Sequence, residues 1–340
     1  MGSDGGRWSA QQIAKLALGL VISAGFLWLL AHGVDIEKLR RVFTSLSLTS
    51  IAIAVLCVAT GYFFRVVRWW WMLQTLDDEL PLSACVWPLL SSLAVNNVLP
   101  FRAGDALRVF GFRRQLRSPA VRVLGTVIVE RVFDLATLLT IFVIGLQGLA
   151  PGAFPAHFVV LASWLAGLTV AALLVLIFLT PWLEALTHRF ARQDFFVRRD
   201  LDGLIREHGE HFAAALGVVR SIPRLLALAG LSSLVWLFEG LVYVTVAAAI
   251  DAVAGAPGAW FSLASGALAT LIPSAPGYLG TFDYFAALGL QAYGATVETS
   301  VAFALIVHTV LWLPATVVGL AYLAFSGGRS WRGAARRGYE

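Results

Sequence analysis

An all-α, polytopic membrane protein is what this sequence predicts, on three observations. First, 59% of the residues are hydrophobic and only 13% charged, where a soluble domain carries about 25% charged residues. Second, the apolar residues come in runs long enough to cross a bilayer and lack strict alternation, so they suit helices rather than barrel strands. Third, two apolar stretches are broken at the same spacing, Pro100-x-x-x-Gly104 and Pro276-x-x-x-Gly280. An apolar helix does not run undisturbed through such pairs, and broken helices in membrane chains often mark where a transporter handles its cargo. The expectation is about six full transmembrane helices plus two re-entrant helical hairpins, in an inverted internal repeat within a single integral membrane domain over 1–340.

In chain order, the polar Gly-rich start gives way to a first span over Ile13–Ala31. It is too long for the apolar part of a signal peptide and no A-x-A site follows. A polar connection over His32–Ser50 leads to the second span, Ile51–Trp71. Its end, Arg65 to Trp71, reads as an interfacial aromatic belt with snorkelling arginines. Leu76–Leu80 is acidic. Pro81–Val98 is apolar and runs into the first break, which carries Asn96, Asn97, Arg102, Gly104, Asp105 and Arg108. A basic run follows, then an apolar span over Val123–Gln147 that contains Glu130, Arg131 and Asp134. His157–Leu179 is a clean span. The connection at about 181–222 is polar, with Leu201, Leu204, Ile205, His208, Phe212 and Val219 at helical spacing, and reads as an amphipathic helix on the membrane surface. Leu225–Ile250 is a span carrying Glu239, and Val301–Phe325 is the last span, carrying His308 and Pro314. Between them lies the second break, with Pro273, Pro276, Gly277, Tyr278, Gly280 and Asp283.

Pro100 and Pro276 lie 176 residues apart. At that offset Gly104 falls on Gly280, the second span falls within Leu225–Ile250, and Val123–Gln147 falls on the last span. Repeat one is therefore about 49–147 and repeat two about 225–325. If both broken stretches leave on the side they entered, one side collects Arg7, Lys15, six Arg from 102 to 122, six from 189 to 220 and four in the tail. The other side receives Lys38, Arg40 and Arg41. The positive-inside rule then makes the first side cytoplasmic, both termini included. If 81–99 crosses fully instead, the amino terminus moves outside and the charges are distributed nearly as well.

The ionisable residues at membrane depth are the candidate site. Arg102 and Arg108, with Asn96, Asn97 and the backbone at Gly104, form a candidate lipid phosphate site, since arginine forks and helix-start N–H groups suit that anion; ordinary lipid-edge arginines are the plain alternative. Asp105, Glu130, Arg131, Asp134, Glu239 and His308 are candidate charge partners or proton relays, because intramembrane charges are costly and normally pair. Glu130 and Asp134 share a helix face and can orient Arg102 or Arg108, or serve as a structural ion pair. Glu239 needs a partner, and His308 is a candidate, unless a backbone carbonyl satisfies it. In the second hairpin Pro273, Pro276, Gly277, Tyr278, Gly280 and Asp283 are candidates for lining or gating a cavity.

His208 and His211 have a metal-like spacing, but with Glu207 and Glu210 beside them they read as a solvated face. Cys57 and Cys85 read as small buried hydrophobes. No metal, cofactor or nucleic acid is expected, and no Walker motif is present to drive transport by ATP. H-E-x-x-H, G-x-S-x-G and S-x-x-K are absent as well, which weighs against an enzyme.

Asn96-x-x-x-Pro100-x-Arg102-x-Gly104-Asp105, then Glu130-Arg131-x-x-Asp134, then Pro273-x-x-Pro276-Gly277-x-x-Gly280 resembles the flippase-like transmembrane region of lysylphosphatidylglycerol synthases and its stand-alone relatives. The resemblance implies a polytopic inner-membrane protein linked to translocation of a lipid or lipid-linked sugar. It also implies that bifunctional members add a soluble aminoacyl-transferase domain, which is not expected here, so a lipid-modifying enzyme would be a separate partner. The expected function is a flippase for an anionic, phosphate-bearing lipid or lipid-linked sugar. An intramembrane enzyme acting on a lipid phosphate or glycolipid, and a non-transporting scaffold, are the alternatives.

Overall fold

The computed structural model describes residues 10–74, 79–100, 102–149, 152, 155–157, 159–171 and 221–337. Every regular element among them is a helix. They run α1 (Ala10–Ala31), α2 (Ile36–Thr44), α3 (Leu48–Gln74), α4 (Ser83–Val98), α5 (Ala103–Ala106), a π-helical turn (Leu107–Gly111), α6 (Arg113–Leu116), α7 (Ala120–Gln147), α8 (Val159–Ala171), α9 (Ile222–Ala249), α10 (Gly255–Ala269), a 3-10 turn (Pro276–Tyr278), α11 (Thr281–Ala292) and α12 (Val297–Arg337). Residues 181–220 of the expected surface helix, with His208 and His211, and the acids Asp77 and Asp78 lie outside the described residues.

Helix ends follow local chemistry. The stretch 32–50, expected as a polar connection, instead contains α2. Its start is set by Asp35, whose carboxylate accepts from the backbone N–H of Glu37 and Lys38 at 3.0 and 3.2 Å, an N-cap that a polar reading of the stretch overlooks. Ser221 caps α9 in the same way through Arg224 N–H, with Pro223 in the first turn. Where α11 begins, Asp283 accepts from the N–H of Gly280 at 2.9 Å.

Among the described residues, three helices are long and apolar enough to cross a membrane: α3, α9 and the Val297–Ser326 part of α12. A fourth is added if α1 and α2, bent by 88°, form one span. Counted over the described residues this does not reach the six expected, part of the expected span at 157–179 lying outside them. α7 has the length, 28 residues, but holds Glu130, Arg131 and Asp134 along it, and α8 is short within the described residues. Large apolar side chains such as Val21, Trp28, Leu56, Ile144 and Leu168 point outward, while Arg68, Arg108, Glu130, Asp134 and Asp283 are buried. A surface of apolar side chains around a charged interior is the arrangement a hydrocarbon solvent selects.

Packing joins the two halves of the chain crosswise. α3 lies against α9, α4 against α12, and α7 against α10. The first contact stacks Phe64 on Phe238, the second Trp87 on Tyr322, and the third Phe142 on Phe261. α1 covers α11, with Phe26 on Tyr284 and Phe285. One apolar cluster gathers around α3, α4, α7 and the π turn, a second around α9 to α12.

Candidate functional site

Arg65, Arg68 and Trp69 lie on one face of α3, Glu130 and Asp134 on one face of α7, and Ser232, Trp236 and Glu239 on one face of α9, each set at helical spacing. Where these faces meet, Arg68 is fully buried. Its two terminal nitrogens reach the two oxygens of Asp134 at 2.6 and 3.3 Å, and Nη1 also donates to Ser232 at 3.0 Å. Trp236 donates to the same Asp134 oxygen at 3.1 Å. Glu130 sits between two arginines, 3.5 Å from Arg68 and 3.1 Å from Arg108. The Arg108 guanidinium lies 4.7 Å over the Trp69 ring, which in turn donates to Thr126. Arg65 is bonded to Glu239 and lies 5.3 Å over Trp236. Arg131 donates from Nη2 to both oxygens of Asp105, each at 3.0 Å.

Arg65, Arg68, Arg108 and Arg131 thus face Asp105, Glu130, Asp134 and Glu239. Equal numbers of each sign make the network neutral, the form in which buried charge is least costly. Sequence reasoning missed two members. Arg65 and Arg68 were expected to snorkel to the membrane edge and instead point inward. The signal was in the acids: the apolar part of α7 from Val123 on holds two acids and one base, and α9 has Glu239 as its lone acid, so other spans had to supply cations.

The first break is built around Asn96. Its Oδ1 accepts from the N–H of Gly104 at 2.8 Å and of Asp105 at 3.3 Å, and its Nδ2 donates to Asp105 at 3.0 Å. These two N–H groups, expected to face an anion, are therefore occupied by Asn96. Gly104 presses so closely on α4 that a Cβ there would lie 1.9 Å from the Ser92 carbonyl oxygen. The π turn that follows opens the helix at Arg108 and sends it inward to Glu130. Arg102 is half-buried, with φ at +53°, and stands outside the Arg108–Glu130 contact.

At the second break Gly277 (φ +72°) and Tyr278 (φ +59°) are both left-handed, a conformation that favours glycine. Pro276 opens this turn, and exposed Pro273 borders an apolar cavity of about 370 Å³ with Leu268 and Phe285. A Cβ on Gly277 would come 3.1 Å from the Asn97 carbonyl oxygen and 2.8 Å from the Trp312 ring nitrogen, so the two broken stretches touch. Asn97 also donates to Thr316 at 2.8 Å. His308 pairs with Asp283 at 2.7 Å and with the Gly277 carbonyl at 3.0 Å; Glu239, its other candidate partner, goes to Arg65. Between α3, α4 and α12 an apolar groove of about 670 Å³ is lined by Val58, Tyr62, Val66, Val86, Leu90 and Pro314.

The "Glycosyltransferase AglD" of Haloferax volcanii is 24% identical over 330 residues, 89% of this chain and 53% of that protein. The chain therefore spans about half the length of this curated relative. Residues 16–319 match the family described as the lysylphosphatidylglycerol synthase TM region, and the chain belongs to that family.

Proposed function

We propose that this protein is a carrier that moves an anionic, phosphate-bearing lipid or lipid-linked sugar between the leaflets of the cytoplasmic membrane. The observation that carries the reading is that the two broken stretches are built alike. Arg102 and Tyr278, 176 residues apart, are both left-handed. Each is followed two residues later by a buried glycine, and then by an acid paired with a base on the next long helix. Those pairs are Asp105 with Arg131 and Asp283 with His308. The crosswise contacts, α4 with α12 and α10 with α7, are equivalent under the same offset. An inverted repeat of two re-entrant hairpins within six spans accounts for this pattern, and such repeats underlie alternating access. Arg102 then meets the phosphate first, with Arg108 and Arg131 behind it, while the acyl chains lie in the groove beside α4 or in lipid. The family's name contains a phosphate-bearing lipid and the relative's name a sugar transfer; both fit a phosphate-bearing lipid or lipid-linked sugar.

Reconstitution into liposomes with a fluorescent phosphatidylglycerol tests the reading. The protein is expected to expose inner-leaflet lipid to an external quencher far faster than empty vesicles. Arg102→Ala is expected to slow this about 30- to 100-fold, as loss of a charge-assisted phosphate contact of ~2–3 kcal/mol would. Movement at the empty-vesicle rate sinks the carrier reading. A change in lipid mass would instead support an enzyme acting on a glycolipid, the activity class in the relative's name.

The same reading puts both termini and the 181–222 connection in the cytoplasm. A cysteine placed at the amino terminus of a Cys57→Ala, Cys85→Ala protein is expected to resist an impermeant thiol reagent added to intact cells. Ready labelling would make 81–99 a full span.

A further inference from the structure

The Asp283–His308 pair lies outside the arginine network, and its geometry dictates a proton count. The Gly277 carbonyl oxygen can only accept, so Nε2 of His308, 3.0 Å away, carries a hydrogen. Nδ1 lies 2.7 Å from Oδ1 of Asp283, so a second hydrogen lies on that line. A neutral imidazole and a carboxylate supply one hydrogen between them; this arrangement needs two. It is complete either as imidazolium and carboxylate or as imidazole and carboxylic acid, and both forms carry no net charge.

Removing that proton leaves a negative charge on Asp283, which is 0% exposed, and leaves one ring nitrogen facing an oxygen without a hydrogen. Both consequences are costly in a dry site. Among the described residues the surroundings offer no cation in compensation. α11 supplies Asp283 itself and Phe282, whose ring edge meets His308 at 4.9 Å. α9 supplies Tyr243, a buried hydroxyl without a hydrogen-bond partner among the described residues, and beyond it Glu239, already bound to Arg65. α4 and α1 supply the neutral Asn97 and Ser23, and the 3-10 turn adds Tyr278.

We propose that Asp283 and His308 form a proton-binding site that latches the tip of the second broken stretch to α12. With the proton bound, His308 holds the Gly277 carbonyl and keeps Gly277 against Asn97 and Trp312. When the proton leaves to water, the remaining ring hydrogen goes to the Asp283 carboxylate, Nε2 loses its hydrogen, and the Gly277 link breaks. Proton occupancy thereby sets whether the two broken stretches stay in contact. The site is independent of the cargo, so it stands or falls separately from the carrier reading.

The test uses the full chain in lipid nanodiscs with Cys57 and Cys85 replaced by Ala and spin labels at Leu279 and Leu320, both more than a third exposed. Pulsed electron spin resonance measures their separation at about pH 5.5 and about pH 10. A single narrow distance is expected at the lower pH, and an added longer or broader population at the higher. Asp283→Asn needs no extra proton: its amide Nδ2–H donates to a neutral Nδ1, and its Oδ1 still accepts from Gly280. This variant is expected to hold the narrow distance at both pH values. A parent distribution that is the same at both values overturns the site. So does an Asp283→Asn protein that opens with pH as the parent does.

Discussion

Arg68→Ala is expected to destabilise the protein by about 3–5 kcal/mol, the usual cost of removing one partner from a buried ion pair. The substitution strands Asp134, which is 5% exposed and would keep only Trp236 as a donor among the contacts described above. It also removes one of the two arginines that hold Glu130. Against a total folding stability of about 5–15 kcal/mol, such a loss removes much of the folded population. The double variant Arg68→Ala with Asp134→Asn is expected to recover part of it, because Asn accepts from Trp236 without a charge to leave unpaired. Thermal loss of monodisperse protein in one detergent, compared across the four members of the cycle, reads the coupling directly. Equal stability of parent and Arg68→Ala would mean that the pair carries no structural weight.

Gly104→Ala is the second large effect. Overpacking a tight core ordinarily costs about 1–3 kcal/mol. The figure here belongs at the top of that range, because the obstacle is backbone: the new methyl would sit 1.9 Å from the Ser92 carbonyl oxygen and 2.8 Å from Asn96 Oδ1. Either α5 moves off α4 or Asn96 gives up its bonds to the Gly104 and Asp105 N–H groups. In both cases Asp105 moves and Arg131 loses its bonds to it. The variant is expected to fold poorly and to lose lipid movement together. Gly25→Ala is the control, since nothing lies within 4 Å of a Cβ there. It replaces a glycine inside α1 and is expected to be neutral or to stabilise by about 0.5–1 kcal/mol. Similar melting temperatures for the two variants would show that α5 is not seated as described.

How much of this was legible beforehand follows from the range over which each interaction acts. Membrane class, helical content, the breaks at Pro100–Gly104 and Pro276–Gly280 and the 176-residue correspondence are local or periodic properties. Solvent preference and backbone sterics act residue by residue and are written along the chain. The acids on α7 and α9 could be recognised as needing cations for the same reason. Which cations they found could not be read off. Arg68 meets Asp134 across 66 positions and Arg65 meets Glu239 across 174, and an arginine near a helix end can as readily snorkel outward. The α2 cap at Asp35, the capture of the Gly104 and Asp105 N–H groups by Asn96 and the inward turn of Arg108 depend on a few hydrogen bonds and one π turn. The meeting of Gly277 with Asn97 depends on how α4 and α12 pack. Spans and breaks come from the chain's own chemistry at each position, whereas the pairing of charges exists only once packing has chosen which helix faces lie together.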